Sequence, residues 1–167
     1  IIKKIFNKNL PPVLIAEISA NHTGSIKKAK KLILTAKKNG ADLVKLQTYE
    51  PRNMTINSSL KDFLVKDGLW KGYKLWDLYK EAQTPLKWQK ELFNYSKKIK
   101  IPCFSTPYDD EGVNLLKKLN SKLYKVSSFE MKDSSLVKKI CSIGKPVIIS
   151  TGLANLKEIS EVYKIAK

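Results

Sequence analysis

Apolar residues along this chain gather into short runs that close on polar side chains. Runs over 13–17, 43–47, 102–106, 123–128 and 146–150 carry Glu17, Lys45 with Gln47, Ser105 with Thr106, Lys125 with Ser128, and Ser150. Runs this short, bounded by Pro, Gly, Asn and Asp, predict buried strands. Between them the apolar spacing lengthens to that of a helix. Ser25 predicts an N-cap for a helix striped by Ala29, Leu32, Ile33 and Ala36 and stopped by Gly40. Thr84-Pro85 predicts the start of a helix bearing Trp88, Leu92, Tyr95 and Ile99. Asp109 and Asp133 predict caps for helices carrying Val113, Leu116 and Leu119, then Leu136, Val137 and Ile140. Asn155 with Glu158 forms a capping pair ahead of Ile159, Tyr163 and Ala166.

Successive strand-then-helix units predict a parallel α/β sheet, for which two architectures compete. A flavodoxin-like doubly wound sheet is complete at this length, whereas a (β/α)8 TIM barrel needs about 250 residues. Strand alternation puts Glu17 on one face with Val13 and Ile15, and Lys45 with Gln47 opposite Val44 and Leu46. Polar residues in mid-strand, Lys45 and Lys125 above all, favour the barrel, because a doubly wound sheet covers both faces with helices and leaves a lysine no solvent. The expectation is therefore one domain over residues 1–167, supplying about the first five βα units of a barrel and ending before its remainder. Such an arc would have two open edges.

Residues 49–84 interrupt the rhythm with Pro51, Gly68, Gly72 and the aromatic residues Trp70, Tyr73, Trp76 and Tyr79, with a short helix predicted near 74–82. A connection this long inside a compact domain is read as a lid or binding loop.

Composition narrows the function classes. A hydrophobic content of 43% over 167 residues is enough for a core. No run is long enough to span a bilayer, and the segment from Ile1 to Phe6 lacks the apolar core and cleavage site of a leader, so the expectation is a cytoplasmic protein with no membrane partner. Cys103 and Cys141 match neither a disulfide framework nor a zinc site and are expected to be buried free thiols. The net charge of +17 raises nucleic-acid binding. Against it, Arg52 is the only arginine among 32 basic residues, and the lysines spread along nearly every helix as solvated faces. No nucleic-acid partner is expected.

The chemistry concentrates at the strand ends. A lysine inside a barrel needs an anionic ligand or a carboxylate partner, so Lys45 and Lys125 either pair with Glu17 or Glu130 or face a substrate. With the hydroxyls of Thr106, Ser128 and Ser150 they suit a small molecule carrying phosphate and carboxylate. Lys125 could instead form a Schiff base, which requires a lowered pKa. Glu17 and Glu130 are candidates for an acid/base pair or for holding a lysine. His22 follows the first strand and is either structural or part of the site. Neither a dinucleotide fingerprint nor a P-loop is present, and no cluster of His or Cys forms a transition-metal site.

Several segments resemble the sialic acid synthase family from about Val13 onward: Ala16-Glu17-Ile18-Ser19-Ala20-Asn21-His22-Thr23-Gly24-Ser25, Val44-Lys45-Leu46-Gln47-Thr48-Tyr49, Phe104-Ser105-Thr106-Pro107, Tyr124-Lys125-Val126-Ser127-Ser128-Phe129-Glu130 and Ile149-Ser150-Thr151-Gly152. Gly68-Leu69-Trp70, Leu75 to Ala82 and Ser19-Ala20-Asn21-His22 resemble its pseudaminic acid synthase branch more than the N-acetylneuraminate or legionaminic acid branches.

The resemblance implies a transferase that condenses phosphoenolpyruvate with an N-acetylated amino sugar to a nonulosonic acid, releasing phosphate. It implies phosphoenolpyruvate contacts at Lys45, Thr106, Lys125, Ser128 and Ser150, sugar contacts at Glu17, Gln47, Asn21 and His22, and catalytic carboxylates at Glu17 and Glu130. It further implies a divalent metal, Mn2+ or Mg2+, held by two histidines beyond residue 167 and by none within this chain. A carboxyl-terminal antifreeze-like domain and a homodimer are expected of the full-length protein, and the 167-residue piece is expected to be inactive.

Overall fold

A computed structural model describes residues 2–5 and 7–167. Of the amino-terminal run read for a leader, Ile1 and Phe6 lie outside the described residues. The elements follow in the order α1 (Ile2–Ile5), β1 (Ile15–Glu17), α2 (Ile26–Lys38), β2 (Leu43–Thr48), α3 (Pro51–Met54), α4 (Leu75–Ala82), α5 (Leu86–Lys98), β3 (Cys103–Pro107), α6 (Asp110–Lys118), β4 (Tyr124–Val126), α7 (Ser134–Cys141), β5 (Val147–Ile149) and α8 (Leu156–Ala166). Short 3-10 turns lie at Lys61–Phe63 and Glu130–Lys132.

The five strands are parallel and pair in sequence order, β1-β2-β3-β4-β5. That order is the barrel's; a flavodoxin-like sheet would run 2-1-3-4-5. The strands form an open arc, half of a barrel wall. Strand β1 is shorter than the 13–17 predicted, since Val13 and Leu14 precede the ladder, and β4 stops at Val126, where the chain turns off into the 3-10 segment.

Helix starts follow from local chemistry. Ser25 accepts the Lys28 amide, Asp109 that of Gly112, and Asp133 that of Leu136, while Asn155 and Glu158 close a reciprocal capping box. Gly40, at φ +87°, adopts the left-handed conformation that ends the α2 turn. The helix start read at Thr84-Pro85 holds, with α5 beginning at Leu86. Pro85 takes the N-cap position of α5, and Thr84 is buried with its hydroxyl 3.3 Å from His22 Nε2.

Strand alternation divides the core in two. Ala16, Val44 and Leu46 pack under α2 and α5, and Tyr124, Val126, Val147 and Ile149 pack with α6, α7 and α8. The opposite parity, Ile15, Leu43, Phe104, Leu123 and Ile148, forms a separate apolar layer that Ile5 of α1 joins. Each large side chain buried this way contributes about 1.5–3 kcal/mol. One pleat further along each strand, the same face turns polar.

The thiols are less enclosed than expected: Cys103 and Cys141 are free and half-buried. Arg52 bridges Glu50 and Glu111 at 2.6 and 2.8 Å, tying the start of the 49–84 excursion to α6. Among the described residues no helix is long and apolar enough to cross a membrane.

Candidate active site

The polar pleat at the carboxyl ends of the strands brings together Glu17, Lys45, Gln47, Thr106, Lys125 and Ser150, each from the parity of the apolar layer beneath. Register sets their heights. Glu17 is level with Lys45 and Phe104, Gln47 with Thr106, and Lys125 with Ile148, so Ser150 stands one pleat above Lys125.

Lys45 Nζ pairs with Glu17 Oε2 at 2.8 Å and reaches Thr106 Oγ1 at 3.5 Å. The carboxylate option for Lys45 is thus realised with Glu17, but the partner is half exposed (52%) while the lysine is not (15%). Lys125 Nζ donates to the Val126 carbonyl and to Ser150 Oγ, both at 2.6 Å. Burial, then the positive charge of Lys45, pull its pKa below the ordinary lysine value, against the opposing pull of Glu17 and Glu130. Two ammonium groups close enough to repel, Lys45 paired with Glu17 and Lys125 hydrogen-bonded to neutral oxygens, favour the approach of further negative charge.

Glu130 lies in the 3-10 turn after β4, with its Oε2 buried and lacking a hydrogen-bond partner. Desolvation raises its pKa above the usual carboxylate value, partly offset by a backbone hydrogen bond and by Lys125. A carboxyl group moved toward neutrality and left with a free oxygen is suited to exchanging a proton. Ser128 is approached by the loop after β5: a Cβ at Gly152 would sit 3.1 Å from Ser128 Oγ, so a larger residue there would require that hydroxyl to give way.

His22 is fully buried. Its Nδ1 accepts the Gly24 amide at 3.2 Å, its Nε2 meets the Thr84 hydroxyl, and its ring meets Trp88 edge-on at 5.6 Å. Burial first, then Lys28, lower its pKa and keep the ring neutral. In this position His22 braces the 21–24 turn against α5 and exposes no ring nitrogen. Asn21 is exposed on that turn, with its Nδ2 donating to the Ile18 carbonyl at 3.0 Å.

Sequence reasoning passed over two residues. Gln89 of α5 donates to the Gln47 carbonyl at 2.8 Å and pins the end of β2. Tyr108, just beyond β3, accepts a 3.4 Å hydrogen bond from Gln47 Nε2 and packs edge-on against Tyr49, with ring centroids 5.4 Å apart. Its phenol is pushed up to about 12, chiefly by burial and then by the charge of Glu130. The parity rule that selected Thr106 would also have selected Tyr108. The 49–84 excursion reaches the site through this aromatic pair: Tyr49 donates to the Tyr79 carbonyl of α4 at 3.3 Å.

Among the described residues no three His, Cys, Asp or Glu side chains converge as metal ligands.

Comparison with known proteins agrees with this geometry. The chain is 43% identical to a pseudaminic acid synthase of Campylobacter jejuni over 162 residues, covering 97% of this chain and 47% of that protein. It is 40% identical to the pseudaminic acid synthase of Helicobacter pylori, covering 94% and 46%, and 37% identical to an N,N'-diacetyllegionaminic acid synthase of C. jejuni, covering 92% and 46%. The chain thus spans about half the length of the curated relatives it matches. Among solved structures, the N-acetylneuraminic acid synthetase of Leptospira borgpetersenii in complex with citrate aligns with a TM-score of 0.79 at 26% identity, over 96% of this chain and 53% of that one. A DAHP synthase of Thermotoga maritima, at 12% identity and a TM-score of 0.60 over 92% and 37%, shares the fold. The NeuB family model matches residues 32–167, and the chain belongs to the NeuB family.

Proposed function

We propose that the full-length protein carrying this chain is a pseudaminic acid synthase, condensing phosphoenolpyruvate with an N-acetylated amino sugar and releasing phosphate. The observation that carries the reading is the pairing of two lysines, Lys45 and Lys125, with hydroxyls from β3 and β5 on one concave face beside two carboxylates. Phosphoenolpyruvate has two anionic groups on three carbons, which matches two ammonium groups and their hydroxyl neighbours. The identity to pseudaminic acid synthases, higher than to the legionaminic acid synthases, supports the choice of acceptor.

In this reading Lys45, Lys125, Thr106, Ser128 and Ser150 hold the phosphate and carboxylate, and binding displaces Glu17 from Lys45. Carbon 3 of phosphoenolpyruvate bonds to the sugar's aldehyde carbon, whose oxygen takes up a proton. Water adds at carbon 2, and cleavage of the carbon–oxygen bond expels phosphate and leaves the ketone. Glu130 carries the proton between water and substrate, and Glu17, Gln47 and Asn21 face the acceptor. His22 acts by bracing the turn that carries Asn21. A divalent ion would polarise the aldehyde as a Lewis acid. Its ligands, the antifreeze-like domain and the homodimer belong to the full-length protein.

Full-length protein supplied with phosphoenolpyruvate, Mn2+ and the N-acetylated amino sugar acceptor should release phosphate and yield pseudaminic acid by mass spectrometry. A neuraminic or legionaminic product would sink the choice of branch, and turnover by the 167-residue piece alone would contradict the division of labour. The lowered pKa of Lys125 sustains a second reading, a Schiff-base aldolase. Borohydride trapping of substrate on Lys125 would establish it; the condensation reading predicts none.

A further inference from the structure

On the polar face, beside the lysines and the Glu17 carboxylate that pairs with Lys45, Gln47 and Tyr108 form a neutral hydrogen-bonded pair within the electrostatic reach of Glu130. The two residues lie off the lysine–carboxylate pair as a separate polar patch. Tyr108 occupies that patch under tight constraint. Its ring is fixed by the edge-on contact with Tyr49, and Tyr49 is buried and tied to α4 through the Tyr79 carbonyl. Its hydroxyl oxygen is taken up as acceptor by Gln47 Nε2, and Gln47 is itself held at its backbone by Gln89. What remains unspent is the phenolic proton. Burial and Glu130 keep that proton in place through the physiological range, and near it the buried Oε2 of Glu130 has no donor.

We propose that Tyr108 is a specificity-determining residue for the neutral, polyhydroxylated acceptor, donating its phenolic hydrogen bond to an acceptor oxygen while holding Gln47 in its binding rotamer. A hydroxyl is the chemical group that fits: it can accept from Tyr108 and donate to a carboxylate such as Glu130 in the same pose. An anionic group beside Tyr108 would meet the charge of Glu130, and unpaired like charge is costly away from water. The 49–84 excursion thereby takes part in acceptor choice without touching the acceptor, since Tyr79, Tyr49 and Tyr108 form one continuous support. This inference rests on the condensation reading and refines it.

Tyr108→Phe in the full-length enzyme tests it, because the ring and its packing survive and only the hydroxyl is lost. The expected result is a KM for the acceptor sugar raised about fivefold to tenfold, the loss of one neutral hydrogen bond, with the KM for phosphoenolpyruvate and the thermal midpoint unchanged. Unchanged acceptor KM overturns the proposal, as does an equal rise in both KM values, which would mark a general loosening of the site. If the unaltered enzyme condenses nothing, the reaction itself is refuted and this role falls with it; an active parent with an indifferent Tyr108→Phe variant refutes the role of Tyr108 alone.

Discussion

Glu17 and Lys45 stand level on adjacent parallel strands and meet at 2.8 Å, so the lysine that faces the anion site is already occupied by a carboxylate. The pair competes with the substrate. Because Glu17 is half exposed, its hold on Lys45 is worth at most about 1 kcal/mol. Glu17→Gln is therefore expected to tighten binding of phosphoenolpyruvate up to about fivefold by calorimetry, since the carboxylate also repels the incoming anion. The same change should slow condensation, because a proposed acceptor contact and acid/base group is altered. Weaker anion binding in Glu17→Gln would show that Glu17 orients Lys45 for the anion instead of competing with it.

Lys125 gives the anion site a pH dependence. Its folded pKa lies below the ordinary lysine value, so the folded protein holds fewer protons than the unfolded chain between the two values. Its contribution to stability is thus present above the ordinary value and lost as pH falls through the depressed one. Lys125→Met should be more heat-stable than the parent at neutral pH, with the difference shrinking as pH rises toward the ordinary lysine value. Anion affinity should fall over the same rise, with proton uptake on binding, and two affinity curves in buffers of different ionisation enthalpy would register it.

Glu130 has the opposite sign. Its folded pKa is raised, so the cost of its buried charge is absent below the ordinary glutamate value and complete once pH exceeds the raised one. Glu130→Gln should gain stability relative to the parent across that window and keep the gain at neutral pH, about 1 kcal/mol or roughly 2–4 °C in thermal midpoint for a chain of this size. Condensation should be largely lost in the full-length enzyme. A variant that is less stable at neutral pH would mean the carboxylate is satisfied in a way its free Oε2 does not reveal.

His22 is a structural residue by its surroundings, and His22→Ala should cost about 2–4 kcal/mol through the cavity under Trp88 and the two lost ring contacts. Its lowered pKa adds that acidification through the ordinary histidine value erodes stability in the parent and not in the variant. Denaturant titrations at two pH values would measure both effects.

What the chain discloses before folding depends on how far apart the interacting residues lie. Ser25, Asp109, Asp133 and Asn155 cap helices through amides three residues away, and the sequence pattern shows them directly. Parity within each strand placed Lys45, Thr106 and Lys125 on one face because a strand's period is fixed at two. The contacts that were not legible span much longer separations: Thr84 with His22, Gln89 with Gln47, and Tyr108 with Gln47 each join residues more than 40 positions apart. Such pairings depend on the register between strands and on where a helix crosses the sheet. Thr84 shows both sides: the threonine before proline marks the start of α5, as the local pattern says, while the histidine its hydroxyl meets lies 62 positions away.

Strand register also gives the two lysines a part in folding itself. Glu17, Lys45, Lys125 and Ser150 alternate along their strands with the helix-facing apolar residues, so sliding any strand by one residue would drive its polar members under the helices and turn those apolar ones to the opposite face. A misregistered β2 would bury Lys45 beneath α2 and α5 with no carboxylate in reach, an error costing several kcal/mol. The residues proposed to cradle an anion in the finished wall therefore also penalise wrong pairings while the wall is being assembled.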